Sequence, residues 1–321
     1  MLDKKRLVVN CEICDTRKLK EKVYSDYEQI VVNADTIIVN EESKAVFNRL
    51  PIIMNNKEVI ALSDTCVILD STFVMDKYFP IKAREGKEYF VSEEVVIAEK
   101  NIDIQKLLQK NVQIKTKKLV LPECKVEDCA MVFDEGTEFI VVPDEMSIIS
   151  ENSRINKELI AKHGKQLFVY GNAEFDEEDM CVCDEIEKLV VKGTVILKEN
   201  QLAAFQSIDA EYDKLEIIKG AQIRNQVFVK IDNDMLETLG ENLQVQNVAK
   251  VELANDIELE TILKYLEFRN CACIICNDEQ SGVVAAVSEN VASIGSENIE
   301  NIVSVSMMQG ANVINSDYFE M

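Results

Sequence analysis

Two C-x-x-C pairs, Cys11-Glu-Ile-Cys14 and Cys273-Ile-Ile-Cys276, carry the spacing that zinc knuckles and thiol redox sites use. Brought together, the two pairs would supply four zinc ligands. Within a strand, however, residues three apart point to opposite faces, so neither pair is a chelate unless the strand ends between its cysteines. Cys181 with Cys183 and Cys271 with Cys273 are two apart and share a face. Free cysteine is among the most buried residue types, so all of these read first as small core hydrophobes. Cys11, Cys14, Cys273 and Cys276 remain the metal candidates. No cofactor is expected.

Other chemistry is thin. His163 is the single histidine, which removes sites built on several histidines and leaves a Ser-His-Asp or Cys-His centre little support. It precedes Gly164 at the end of a helical pattern, where a cation would cap the helix. Neither a G-x-x-x-x-G-K-[ST] nor a G-x-G-x-x-G phosphate loop occurs. The run Asp176-Glu-Glu-Asp179 lacks the glycine and spaced oxygens of an EF-hand and reads as a solvated loop. Lys106, Lys110, Lys115, Lys117 and Lys118 form a small basic patch, a solvated face or an internal partner for the acidic excess. No catalytic residue is nominated, and the chain is not read as an enzyme.

The elements that must position these residues are built from 321 residues with a net charge of −23. From Asp232 onward, 16 acidic residues face three basic ones, which argues against contact with a phosphate backbone. No stretch approaches the roughly 18 apolar residues of a membrane span, and the start lacks a signal-peptide core. Ten cysteines then read as reduced thiols, and the expected location is the cytoplasm.

An apolar-x-apolar pattern recurs near positions 7, 30, 52, 73, 95, 119 and 140, about every 22 residues, and then near 167, 189, 216, 243 and 271 at a longer spacing of about 27. Each run predicts a short strand, followed by a turn in which Gly171, Gly193 and Asn247 would tolerate positive φ. Helical patterns fall between strands at 41–50, 156–163, 199–208 and 258–267. In the last, Leu259, Ile262, Leu263 and Leu266 would share one face. The expectation is an α/β solenoid of stacked 22–28-residue units, each with one short parallel strand and a turn or short helix. It would form a single elongated domain over 1–321 of about 12 coils: shorter units in 7–140, longer ones in 140–276, and acidic terminal coils in 277–321. A right-handed parallel β-helix is the alternative.

The pattern resembles the leucine-rich repeat in degenerate form. Tyr27-x-x-Ile30-x-Val32-x-x-Asp35-x-Ile37 and Leu119-x-Leu121-x-x-Cys124-x-Val126 follow its spacing, and Leu167-x-Val169-x-x-Asn172 supplies an asparagine at its Asn/Cys position. Pro122 and Pro143 after their strands, with Ala204-Phe205 in a connection, are similar to the bacterial BspA-type subgroup. What the resemblance implies is a concave strand face that binds proteins, without a catalytic centre. The expected partner is therefore another protein or a second copy of the chain, with no nucleic acid and no membrane. The pattern begins at Leu7 and stays apolar at Ile302-Val-Ser-Val-Ser-Met-Met308, so homo-oligomers through uncapped ends are the second expectation, as a self-assembling structural protein. A Cys-ligated metal or redox protein and a β-helix enzyme rank below these.

Overall fold

The computed structural model describes residues 5–175, 182–296 and 311–321. Cys181, the run Asp176 to Asp179 and the stretch Ile302 to Met308 lie outside the described residues. The chain is mixed α/β, with mostly parallel strands in stacked sheets and no closed barrel among the described residues. It divides into two compact units, Met1–Ser150 with Met307–Met321, and Glu151–Ser306.

The first unit starts with long strands. β1 (Lys5–Asp15), β2 (Tyr27–Val39) and β3 (Ile52–Ala61) pair in parallel, with Leu7 beside Ile30 and Ile30 beside Ile52. Alternate residues point inward, so Leu7, Val9, Ile30 and Val32 are all buried. At the corner the chain turns without leaving the ladder: Glu12 and Ile13 both donate their N–H to the carbonyl of Asp317, at 3.0 and 2.9 Å. The bare N-terminal edge expected at Leu7 is not found. β25 (Ala311–Asn315) and β26 (Tyr318–Glu320) pair with β1 on its free side, Arg6 beside Ala311 and Ile13 beside Tyr318. Ile314, Phe319 and Met321 pack onto the core of Leu7, Val9 and Cys14, and this burial is what holds the cap.

The 22-residue phase continues past β3, but the hydrogen-bonded ladder does not. In their second halves these strands carry adjacent apolar pairs, Ile13-Cys14, Ile37-Ile38 and Val59-Ile60, which makes both faces apolar. One face buries Cys14 and Ile37 in the stack; Ile13, Ile38 and Ile60 on the other pack with Leu62, Cys66, Ile68 and Phe90. The following coils therefore sit against the side of the first ladder. They form two short ladders of their own. One comprises β4 (Val67–Ile68), β6 (Glu88–Phe90) and β8 (Gln113–Lys115); the other β5 (Thr72–Val74), β7 (Glu94–Val96), β9 (Lys118–Pro122) and β10 (Glu138–Val142). Ile97, Ile114, Leu119 and Leu121 are fully buried between them. β11 (Ser147–Ile149) closes this stretch of chain.

The second unit repeats the plan. β12 (Ser153–Ile155) pairs with β14 (Ala173–Phe175); β13 (Gln166–Tyr170) and β14 both pair with β15 (Lys188–Lys198), and β15 with β16 (Ala210–Ile218). Pairing stops at β16, after the adjacent apolar residues Ile196-Leu197 and Ile217-Ile218. Two more ladders follow. They are β17 (Ala221–Arg224), β19 (Leu243–Gln246), β21 (Leu266–Arg269) and β23 (Ser288–Glu289), then β18 (Phe228–Ile231), β20 (Lys250–Leu253), β22 (Cys273–Ile275) and β24 (Ser293–Gly295).

Two expectations are corrected here. Each repeat of these later ladders holds two strands rather than one. Between them sits an asparagine with left-handed backbone, at Asn225, Asn247, Asn270 and Asn290, φ 52 to 55°. Their side-chain amides hydrogen-bond down the stack, Asn247 to Asn225 at 3.1 Å, Asn270 to Asn247 at 3.3 Å and Asn290 to Asn270 at 3.2 Å. A second asparagine ladder joins Asn55, Asn33, Asn10 and Asn315 in the first unit, each bond 2.7 Å. The helix near 260 is also shorter than its pattern: it spans Leu259–Tyr265 and Leu266 begins a strand. Ile262 and Leu266 are buried, whereas Leu259 and Leu263 are exposed.

Candidate functional site

The two thiol pairs differ. The corner in β1 falls between Cys11 and Cys14, so both face the same core and their side chains hydrogen-bond to each other. That bond lowers the Cys11 thiol and raises Cys14 well above the ordinary range, with burial adding to the second effect. Cys273 and Cys276 lie in the other unit, both buried, and burial raises Cys276. Among the described residues, no group of three or more His, Cys, Asp or Glu side chains is arranged to hold a metal ion.

One exposed feature of the first unit is β3. Met54 continues the inward row of Val9 and Val32, and Val59 that of Cys14 and Ile37. Those four residues are at most 1% exposed, yet Met54 is 41% and Val59 51% exposed. The core rows thus run out onto an edge that pairs with nothing further among the described residues. The asparagine ladder ends there too, at Asn55. Lys57 and Glu58 put charge on the edge, through Lys57–Asp35 at 2.9 Å and Glu58–Lys117 at 2.7 Å.

Two grooves open where the later coils meet the side of each long ladder. In the first unit a groove of about 610 Å³ is lined by Glu12, Asp15, Arg17, Asp70, Asp317 and Tyr318 among others. Asp15 is buried there and holds Arg17 through Nε at 3.0 Å and Nη2 at 2.8 Å, while Tyr318 donates its hydroxyl to Asp15 at 3.0 Å. Burial on its own would raise the Asp15 carboxyl, but the Arg17 hydrogen bonds and charge outweigh it and hold the group below its ordinary value. Burial and the adjoining carboxylate push the Tyr318 phenol up.

The corresponding groove of the second unit, about 420 Å³, is lined by Arg154, Glu174, Lys198, Gln222, Arg224 and Asn225 over a wall of Phe175, Ile196, Leu197 and Ile218. Among the described lining residues Arg154, Lys198 and Arg224 are basic and Glu174 is acidic. Arg224 Nε donates to Gln222, Nη1 stands 4.0 Å from Glu174, and Nη2 is buried without a hydrogen-bond partner among the described residues.

Neither groove was visible in the sequence, because each joins residues from distant coils with no shared motif. Four lysines of the basic patch that was visible are internally matched: Lys115 pairs with Glu88, Lys117 with Glu58 and Glu93, and Lys106 with Asp103, while Lys110 donates to carbonyls of Pro80, Ile81 and Ala83. His163 ends the helix Lys157–His163 as expected, but burial and Lys162 lower it, which disfavours the cationic cap. No helix among the described residues is long and apolar enough to cross a membrane. Comparison with known protein families, with curated proteins and with solved structures gives no match for this chain.

Proposed function

We propose that this chain is a non-catalytic protein-interaction module, coiled as a solenoid, whose docking site is the open edge β3. Two strands per repeat and left-handed asparagines at the corners favour a parallel β-helix over a leucine-rich-repeat horseshoe. The observation that carries the function is the exposure of Met54 and Val59 on rows that are elsewhere sealed. The occupant is an extended segment of another protein, added as one more parallel strand. The chain supplies the pattern for it at the opposite edge, where β25 adds to β1 with Ile314 turned to the core and Asn315 on the asparagine ladder. A partner strand of alternating apolar residues with an asparagine opposite Asn55 would continue both.

The test compares the tagged protein with a Met54→Lys, Val59→Lys variant in capture from its own cells, followed by cross-linking at Lys57. Support is a stoichiometric protein lost from the variant and cross-linked to β3 through Lys57. Retention of the partner by the variant, or recovery of nothing but untagged copies of this chain, would count against the reading. The second result would instead make the protein a self-assembling one.

A further inference from the structure

We infer that Cys11 and Cys14 form a reversible dithiol–disulfide site, which a hydroperoxide oxidises and a free thiol restores. Residues three apart on a straight strand point to opposite faces, where two thiols do not meet. β1 is not straight here. Glu12 and Ile13, the two residues between the cysteines, both donate their N–H to the carbonyl of Asp317, and the chain turns around that one acceptor. Cys11 and Cys14 therefore converge on the core of Leu7, Val9, Ile30 and Val32, with their thiols in hydrogen-bond contact. A disulfide needs such convergence, with Cβ atoms about 3.5–4.5 Å apart, and costs backbone movement where it is missing. Sharing a core is not enough: Cys271 lies in one core with Cys276, yet its thiol donates to the carbonyls of Val245 and Arg269.

The two thiols also divide the chemistry between them. Cys14 is fully buried, whereas Cys11 is half-buried at the rim of the core, where an oxidant reaches it first. Burial pushes Cys66 up to about 11 and Cys129 up to about 12, and it raises Cys271 and Cys276. At Cys11 the hydrogen bond with Cys14 outweighs burial and lowers the thiol, which favours the nucleophilic thiolate. That thiolate attacks one peroxide oxygen and breaks the O–O bond, so Cys11 becomes a sulfenic acid. The departing oxygen takes up the proton that Cys11 had lost and leaves as water or an alcohol. The Cys14 sulfur then attacks the sulfenic sulfur, its proton leaves with the hydroxyl as water, and the S–S bond forms. Two thiols have then given two electrons and two protons to the peroxide. An external dithiol reverses the bond by exchange, taking the disulfide itself.

The experiment treats the folded full chain with hydrogen peroxide, blocks the remaining thiols with N-ethylmaleimide in denaturant, and weighs the tryptic peptides. Trypsin releases Cys11 and Cys14 together in residues 7–17, between Arg6 and Lys18, and Cys66 without another cysteine in residues 58–77. The expected peptide 7–17 is lighter by two hydrogens, carries no maleimide and regains both thiols with dithiothreitol. Its thiols should be consumed about tenfold or more faster than Cys66. In Cys14→Ser, Cys11 should stop at the sulfenic acid, which dimedone traps. In Cys11→Ser, Cys14 should react as slowly as Cys66. Circular dichroism of each variant guards against reading misfolding as altered reactivity, and the parent's result stands alone if a variant does not fold. A peptide 7–17 that carries two maleimides when half of Cys66 is oxidised overturns the inference. So does one that ends as a sulfinic acid at Cys11 with Cys14 still free, or one linked to a different cysteine. None of these results depends on the β3 edge, so the two readings fail separately.

Discussion

At the scale of single residues, the Asp15–Arg17–Tyr318 cluster is a buried electrostatic commitment of the first unit. The folded Asp15 titrates below an unfolded aspartate, so its contribution is complete above about pH 4 and is lost as pH falls through the folded value. Asp15→Asn leaves the Arg17 guanidinium, 10% exposed, without its counter-charge. Urea denaturation at pH 7 should show a loss of about 3 kcal/mol, and the gap from the parent should narrow at pH 3. Gly193 makes a different prediction. Its φ is +157° and a Cβ would stand 2.4 Å from the carbonyl oxygen of Gly171, whereas a Cβ at Gly136 meets nothing within 4 Å. Thermal melts should therefore show Gly193→Ala destabilised by about 2 kcal/mol or more, with Gly136→Ala near the parent. That Gly171, Gly193 and Asn247 would tolerate positive φ was legible from their place just after apolar-x-apolar runs, and all three adopt it. The pairing of Cys11 with Cys14 was not, because it depends on a corner that no residue type announces.

Among elements, the asparagine ladders separate two effects that one residue combines. Asn247 holds a left-handed backbone and gives and takes one amide hydrogen bond. Replacing it by Gly keeps the backbone and removes the bonds; replacing it by Ala loses both. The melting curves should rank parent above Asn247→Gly above Asn247→Ala, with about 1 kcal/mol in the last step from left-handed strain on alanine. Most strand positions are legible in the sequence, including the faint ones at Thr72–Val74 and Glu94–Val96, since inward burial imposes period-two alternation, whereas the run expected near 271 falls between the strands ending at Arg269 and beginning at Cys273. What alternation could not show was the second strand of each coil, often only two or three residues long. The helix at Leu259–Tyr265 fails its pattern for a related reason. Seven residues make two turns, and only Ile262 reaches the stack before the chain must extend again.

For the molecule as a whole, the regular 22-residue phase concealed that the ladder stops twice. A cause was present in the sequence as adjacent apolar pairs, Ile37-Ile38 and Ile217-Ile218 among them; both residues of the first pair are buried, so both faces of that strand are covered and the strands that follow pack on its side. Both units follow that plan, each with a charged groove at the step. The first unit completes it with a coil taken from the far end of the chain. Removing Ala311–Met321 would strip Ile314, Phe319 and Met321 from the core and open Leu7 and Val9 to water. At about 1.5–3 kcal/mol per apolar side chain, the loss should exceed about 4 kcal/mol in a denaturant titration, with the first unit losing amide-exchange protection before the second.

Strands β25 and β26 thus pair with β1 although they lie far from it along the polypeptide. Arg6 lies beside Ala311, as Ile30 lies beside Ile52 twenty-two residues on. Joining Met321 to Met1 through about six added residues would restore the same spacing, on the same geometry that lets domains with neighbouring ends be rewired. A circular permutant that starts just before Ala311 would then read its first unit in one unbroken pass, and it should fold to the parent's far-ultraviolet spectrum. The contact of β1 with β25 and β26 is a seam between segments far apart in sequence.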